Sequence, residues 1–294
     1  MQRIETLRFT DQLRSYVSLT KPGILFGNAI TAAAGFFLAS KGSIDVGLFL
    51  VTLLGLSLVV ASGCAFNNYI DRNADQKMSR TQNRPLARGR IPLKNATLFA
   101  TALGFLGIVL LSLQVNLITA FIALVGFVVY VLFYSFLKYR TSHATLIGSI
   151  AGATPPLVGY SAVSNHLELG ALLLFLLVVL WQMPHFFAIA VYRLDEYAAA
   201  SIPVLPVKRG VRTTKIQSVG YIAAFTIASL LLTFLNYTGI SYAIAAAVLG
   251  SAWLWLALQG FKSNKDQLWA RKMFLFSLLV ITALSAMIPF SLVS

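Results

Sequence analysis

Polar positions are sparse along this chain and fall in clusters, and apolar segments of about 20 residues run between them. These segments lie at about 22–40, 46–70, 95–114, 116–137, 144–162, 168–191, 216–236, 240–261 and 272–292. A helix of that length crosses a hydrocarbon core of roughly 30 Å and satisfies its own backbone where no water reaches. The pattern predicts an all-α integral membrane protein, a bundle of about nine transmembrane helices. An odd number of crossings places the two termini on opposite sides.

Composition agrees. Of 294 residues, 58% are hydrophobic and 11% are charged, and the mean hydropathy is +0.79. The net charge of +14 would suggest nucleic acid in a soluble protein, but topology accounts for it. Arg3, Arg8, Arg14 and Lys21 precede the first segment, and seven basic residues from Arg72 to Lys94 follow the second. Lys138 and Arg140 follow the fourth, Arg193 to Lys215 the sixth, and Lys262 to Lys272 the eighth. Of 23 Lys and Arg, only Lys41 falls on the other face. Basic loops face the cytoplasm, so the N-terminus is expected there and the C-terminus opposite, with no nucleic-acid partner. Residues 1–294 read as one domain, 1–21 being a cytoplasmic N-terminal segment without the apolar core of a cleavable signal. The single cysteine, Cys64, excludes an intrachain disulfide or thiolate cluster and suits packing.

Two basic-face loops are longer, Asp71 to Lys94 and Tyr192 to Lys215, and both begin with acids. They follow crossings four apart, a spacing consistent with duplication of a four-helix unit. In the first, Asn67, Asp71 and Asp75 fall at i, i+4 and i+8, so one helix face carries a column of oxygen ligands. Magnesium takes one or two carboxylates and completes its octahedron with water and substrate phosphate, so an incomplete protein set suits a diphosphate. Arg72, Lys77, Arg80, Arg84, Arg88, Arg90 and Lys94 supply cations nearby. A topology signal suffices for the basic loop, but acids at a membrane edge are expensive and mark functional sites.

The second cluster runs from Trp181-Gln182-Met183-Pro184-His185 to Asp195-Glu196. His185, Tyr192 and Glu196 fall at i, i+7 and i+11, roughly one face. His185 is read as an iron ligand, a proton-transfer group or a donor to the carbonyls freed by Pro184. Asp195 and Glu196 at a helix C-terminus would oppose the macrodipole, a cost that a bound cation offsets. With the two loops face to face, Asp71, Asp75 and Glu196 can converge on magnesium. In Gly148 to Pro156, small residues permit close helix approach and the prolines a kink.

The run Asn67-x-x-x-Asp71-x-x-x-Asp75-x-x-x-x-Arg80-Thr81-x-x-Arg84-Pro85-Leu86 resembles the first aspartate-rich motif of the membrane-embedded UbiA-type prenyltransferases, and within them the haem-farnesylating branch. Leu137-Lys138 to Gly148, Ala151 to Pro156, Trp181 to His185, and Tyr192-Arg193 to Pro206 support it, and the similarity runs from about Thr20 to the last segment. Asn68, where many quinone-type relatives carry Asp, agrees with the haem branch. Gln182-Met183-Pro184-His185 replaces a more usual Thr-Pro-Pro-His, and Glu196 stands where Asp is usual.

The resemblance implies a Mg²⁺-dependent transfer of the farnesyl group of farnesyl diphosphate to a vinyl group of haem B. Water adds as a hydroxyl, giving haem O in a cell inner membrane, with a terminal oxidase or haem A synthase as partner downstream. It assigns metal binding to Asn67, Asp71 and Asp75, with Asp195 and Glu196 as further ligands. Lys77, Arg80, Arg84, Lys138 and Arg140 take the diphosphate, Lys138 and Arg140 also standing as candidates for the haem propionates. His185, Tyr192 and Arg193 take the haem. A quinone-type acceptor would share the metal site without explaining His185 and Asn68. A haem-binding assembly factor would tolerate loss of Asp71 and Asp75. A carrier would place its site near the bilayer midplane, whereas these acids cluster at one edge.

Overall fold

The computed structural model describes residues 9–293; Arg3, Arg8 and the rest of the first eight positions, with Ser294, lie outside the described residues. Nine helices among these are long and apolar enough to cross a membrane: Pro22–Ser40, Val46–Asp75, Leu93–Gln114, Leu117–Leu137, Ala144–Ser164, Leu169–Tyr192, Leu205–Phe234, Ile240–Lys262 and Asp266–Phe290. They are the first to ninth spans below. Large apolar side chains such as Phe105, Phe121, Ile227 and Trp255 stand exposed on their outer faces, while Ser62, Thr119, Ser161, Ser229 and Ser277 are buried. That inversion suits lipid outside and hydrogen-bonded helix contacts inside.

The spans pack together as a bundle, the second on the third, the sixth on the seventh and ninth, and the first on the fifth. The last pairing depends on missing side chains. A Cβ on Gly159 would run into the Ala32 carbonyl, and one on Gly35 into the Pro156 carbonyl, so the two backbones touch.

Three spans depart from plain helix. The fifth breaks at Ala153 and resumes with Pro155 and Pro156 in the first turn of its second half, where a proline loses no hydrogen bond. The fourth passes through a π-helical stretch, Val129–Tyr134. The seventh begins at Leu205, earlier than the apolar pattern predicts, because a polar lead-in turn joins it through Gly210 at φ 79°, ψ 162°.

The N-terminal segment is itself helical over Phe9–Leu19. Asn68 Nδ2 holds its end, donating to the Leu19 carbonyl at 3.0 Å and to the Cys64 carbonyl at 3.0 Å. Only an amide can donate there, since a carboxylate accepts.

Candidate active site

The second span stays helical to Asp75, and its last two turns present Asn67, Asp71 and Asp75 inward, each less than 8% exposed. Each meets a cation from a different part of the chain. Lys21 Nζ donates to Asn67 Oδ1 at 2.6 Å. Lys138 Nζ pairs with Asp71 Oδ2, while Tyr139 OH donates to Oδ1 at 2.8 Å. Arg84 Nη1 reaches both oxygens of Asp75 at 3.0 and 2.9 Å. Two carboxylates thus face three cations, leaving one positive charge in excess at a place screened from water.

The π-helical stretch places two of these partners. Ser135 Oγ donates to the Tyr130 carbonyl five residues back at 3.0 Å and accepts from Asn67 Nδ2 at 3.0 Å. Tyr130 and Tyr134 stack at 5.6 Å and 12°, and the Lys138 ammonium lies 5.4 Å from the Tyr134 ring centroid. The extra residue per turn rotates the end of the span so that Lys138 meets Asp71.

Burial governs the titration of these groups. It pushes the Lys21 ammonium down to about 8, with Arg84 and Lys138 adding to the effect and Asp71 opposing it. It also lowers Lys138 against the pull of Asp71, and it raises the Tyr139 phenol, which the Asp71 charge raises further. Tyr139 therefore stays a hydrogen-bond donor throughout the physiological range.

The two basic-face loops meet: Met78 packs with Ala200 and Ile202 beside Tyr139 and Tyr197, and the charge of Arg80 falls on Tyr197. The second acidic cluster is built differently from expectation. The sixth span ends at Tyr192, and Asp195 and Glu196 lie in the first turn of a new helix, Leu194–Ala199. There they favour the dipole instead of opposing it, so the argument for a compensating cation falls. The break at Arg193, φ −114° and ψ 30°, also takes Glu196 off the face shared by His185 and Tyr192. Arg193 donates to Glu196 Oε1 at 2.8 Å and lies over the Tyr192 ring at 4.6 Å. Glu196 Oε2 is buried with no partner among the described residues. Asp195 is exposed and accepts from Gln267 at 3.3 Å, which draws it toward the ninth span.

His185 lies inside the bundle, 8% exposed. Its ring stacks on Trp181 at 4.7 Å and 24°, and its Nδ1 lies 2.7 Å from Ser277 Oγ of the ninth span. A crevice of about 470 Å³ between the fifth, sixth and seventh spans, lined by Met183, Phe187, Leu205 and Arg209 among others, contains none of the acids and does not include His185.

Residues 28–279 match the model of the UbiA prenyltransferase family. The chain belongs to that family. It is 55% identical over 279 residues to a protoheme IX farnesyltransferase of Protochlamydia amoebophila, covering 95% of this chain and 99% of the relative. It is 53% identical over 276 residues to one from Pseudomonas syringae pv. tomato, covering 94% of each. In fold it is similar to a digeranylgeranylglyceryl phosphate synthase, with a TM-score of 0.78 at 22% identity over 95% of this chain and 98% of the other. A UbiA homologue from Archaeoglobus fulgidus bound to DMAPP and Mg²⁺ gives a TM-score of 0.69 at 17% identity over 94% and 99%.

In this UbiA-family chain, Asn67, Asp71, Asp75, Arg84 and Lys138 come together, and Lys77, Arg80 and Arg140 stay exposed around them. Arg72 turns back to the Tyr69 carbonyl. Sequence reasoning missed Lys21, Ser135 and Tyr139. No spacing signal marks them, because each reaches the column from another helix.

Proposed function

We propose that this prenyltransferase moves the farnesyl group of farnesyl diphosphate to a vinyl group of haem B, with water adding as a hydroxyl, and releases haem O and diphosphate. The observation that carries the reading is the buried column Asn67, Asp71 and Asp75 ringed by Lys21, Lys138 and Arg84. Its support is identity of 52–55% with relatives named for that reaction along nearly the whole chain.

The donor set fits magnesium. Asn67, Asp71 and Asp75 offer hard oxygens, and Glu196 Oε2 is a buried oxygen without a partner among the described residues. No three His, Cys, Asp or Glu side chains among those residues form a complete cage, so Asn67, Asp71 and Asp75 would hold Mg²⁺ together with substrate oxygens. When bound, the ion stabilises the charge that builds on the departing diphosphate. Lys138 and Arg84 stand where they can transfer from the Asp71 and Asp75 carboxylates, and Lys21 from the Asn67 amide oxygen, to diphosphate oxygens, adding preorganised positive charge where it develops. Arg80 takes an outer oxygen, with Lys77 and Arg140 at the rim. The stacked faces of Tyr130 and Tyr134 and the apolar spans keep water from the allylic cation until the carbon–carbon bond has formed. His185, with Tyr192 and Arg193 toward the basic face, takes the haem. We further propose one domain over 1–294, a cytoplasmic basic face in the cell inner membrane, and delivery of product to a terminal oxidase or haem A synthase.

The test incubates membranes holding the protein with haem B, labelled farnesyl diphosphate and Mg²⁺, beside an Asp71→Asn variant. Expected is label in a more hydrophobic haem, dependent on metal and absent from the variant. Label entering a quinone precursor but not haem, from folded protein, rejects the acceptor.

A further inference from the structure

Ser277 ties the sixth span to the ninth through two contacts and bonds once within its own span. Its carbonyl accepts from Trp181 Nε1 at 2.7 Å, and its Oγ lies 2.7 Å from His185 Nδ1 and 2.6 Å from the Phe274 carbonyl oxygen. A hydroxyl carries one hydrogen and two lone pairs. Two oxygens 2.6 Å apart hold that hydrogen between them, so the hydroxyl donates to Phe274 and offers histidine only a lone pair. His185 is therefore the donor at Nδ1, and its own lone pair sits on Nε2. This also removes the carbonyls around Pro184 as partners for that donor.

Nε2 bonds no protein group among the described residues, and it is not one of the atoms sealed away without a partner. The ring cannot easily turn over, because Trp181 stacks on it and Phe186 and Phe274 close in at centroid distances of 5.5 and 5.1 Å. A histidine that binds a metal almost always donates its other ring N–H to a fixed acceptor, which sets the tautomer and aims the free nitrogen.

We propose that Ser277 is a positioning residue that holds His185 as the Nδ1–H tautomer, so that Nε2 ligates the iron of haem B. The proposal rests on the haem reading above and can fail separately from it.

The experiment has two parts. Protein labelled with ¹⁵N-histidine, reconstituted in bilayers at neutral pH, is examined by solid-state NMR, with His185 assigned by its loss in His185→Ala. The same preparations are titrated with haem B and followed by the Soret band. Expected is a protonated Nδ1 and bare Nε2 in the parent protein and in Ser277→Thr, with Nε2–H appearing in Ser277→Ala. Haem affinity falls about 10–100-fold in Ser277→Ala with an altered Soret band, and returns in Ser277→Thr. The fold is retained because Trp181 bonds the backbone of residue 277.

Nε2–H in the parent protein overturns the tautomer assignment. The Nδ1–H form with haem spectra unchanged in His185→Ala overturns His185 as the iron ligand and leaves the lock standing as structure only. Haem binding lost in His185→Ala but untouched in Ser277→Ala overturns the role of Ser277.

Discussion

Lys21 takes a left-handed conformation, φ 53° and ψ 71°, directly before Pro22. Strain of about 1–3 kcal/mol of this kind persists where surroundings over-determine it, and here the turn delivers Nζ to Asn67. Its lowered pKa of about 8 gives a signed expectation. Below that value the ammonium is charged and, in the proposed role, would add to diphosphate binding; above it the charge is lost. The pH profile of kcat/KM, which reports free-enzyme groups, should fall on its alkaline limb near pH 8. Lys21→Arg should move that limb out of range, and an unchanged limb rejects the assignment. Stability runs the other way, rising as pH climbs from about 8 toward the ordinary lysine value of 10.5, because the unfolded chain holds the proton longer. Asn68 has a different task. Asn68→Asp leaves the Leu19 and Cys64 carbonyls facing an acceptor, so a loss of about 1–3 kcal/mol should appear as a lower midpoint in thermal unfolding.

Among the elements, the contact between the first and fifth spans has the least room. Gly159→Ala drives a methyl group into the Ala32 carbonyl, and backbone cannot yield as a side chain does. A loss of about 1–3 kcal/mol is expected, read as a fall in thermal midpoint, with no pH dependence. Gly210 joins the lead-in turn to the seventh span at φ 79° and ψ 162°, a region essentially closed to other residues. Gly210→Ala should cost about 1–3 kcal/mol, whereas Gly220→Ala, with nothing near its added methyl, should be neutral or better.

For the whole molecule, the asymmetry of charge is the orienting force. With buried Cys64 replaced by Ala, single cysteines at Ser43 and Asn264, on loops at opposite ends of the bundle, should react with an impermeant maleimide from opposite sides. Asn264→Cys should be the one labelled from the cytoplasm in sealed vesicles of known orientation. Labelling of Ser43→Cys instead from the cytoplasm would falsify the orientation, and labelling of both from one side the crossing pattern. On the proposed orientation, the same asymmetry would put the cation-rich site at the cytoplasmic face.

Much of this was legible along the chain. The apolar run lengths decide the number of spans, because a bilayer core has a set thickness, and the i, i+4, i+8 spacing puts Asn67, Asp71 and Asp75 on one face, because a helix has a set pitch. Local periodicity could not reach further. Lys21 read as an ordinary topology charge, and Lys138 as a diphosphate or propionate candidate with no tie to Asp71, until packing brought their ammonium groups to Asn67 and Asp71, and the Val129–Tyr134 π-turn that aims Lys138 leaves no apolar signature. Glu196 looked like the end of the sixth helix, and only the break at Arg193 shows it beginning another. The pairing of His185 with Ser277, 92 residues away in the chain, is a fact of tertiary structure alone, since side chains on different spans meet only when the helices pack.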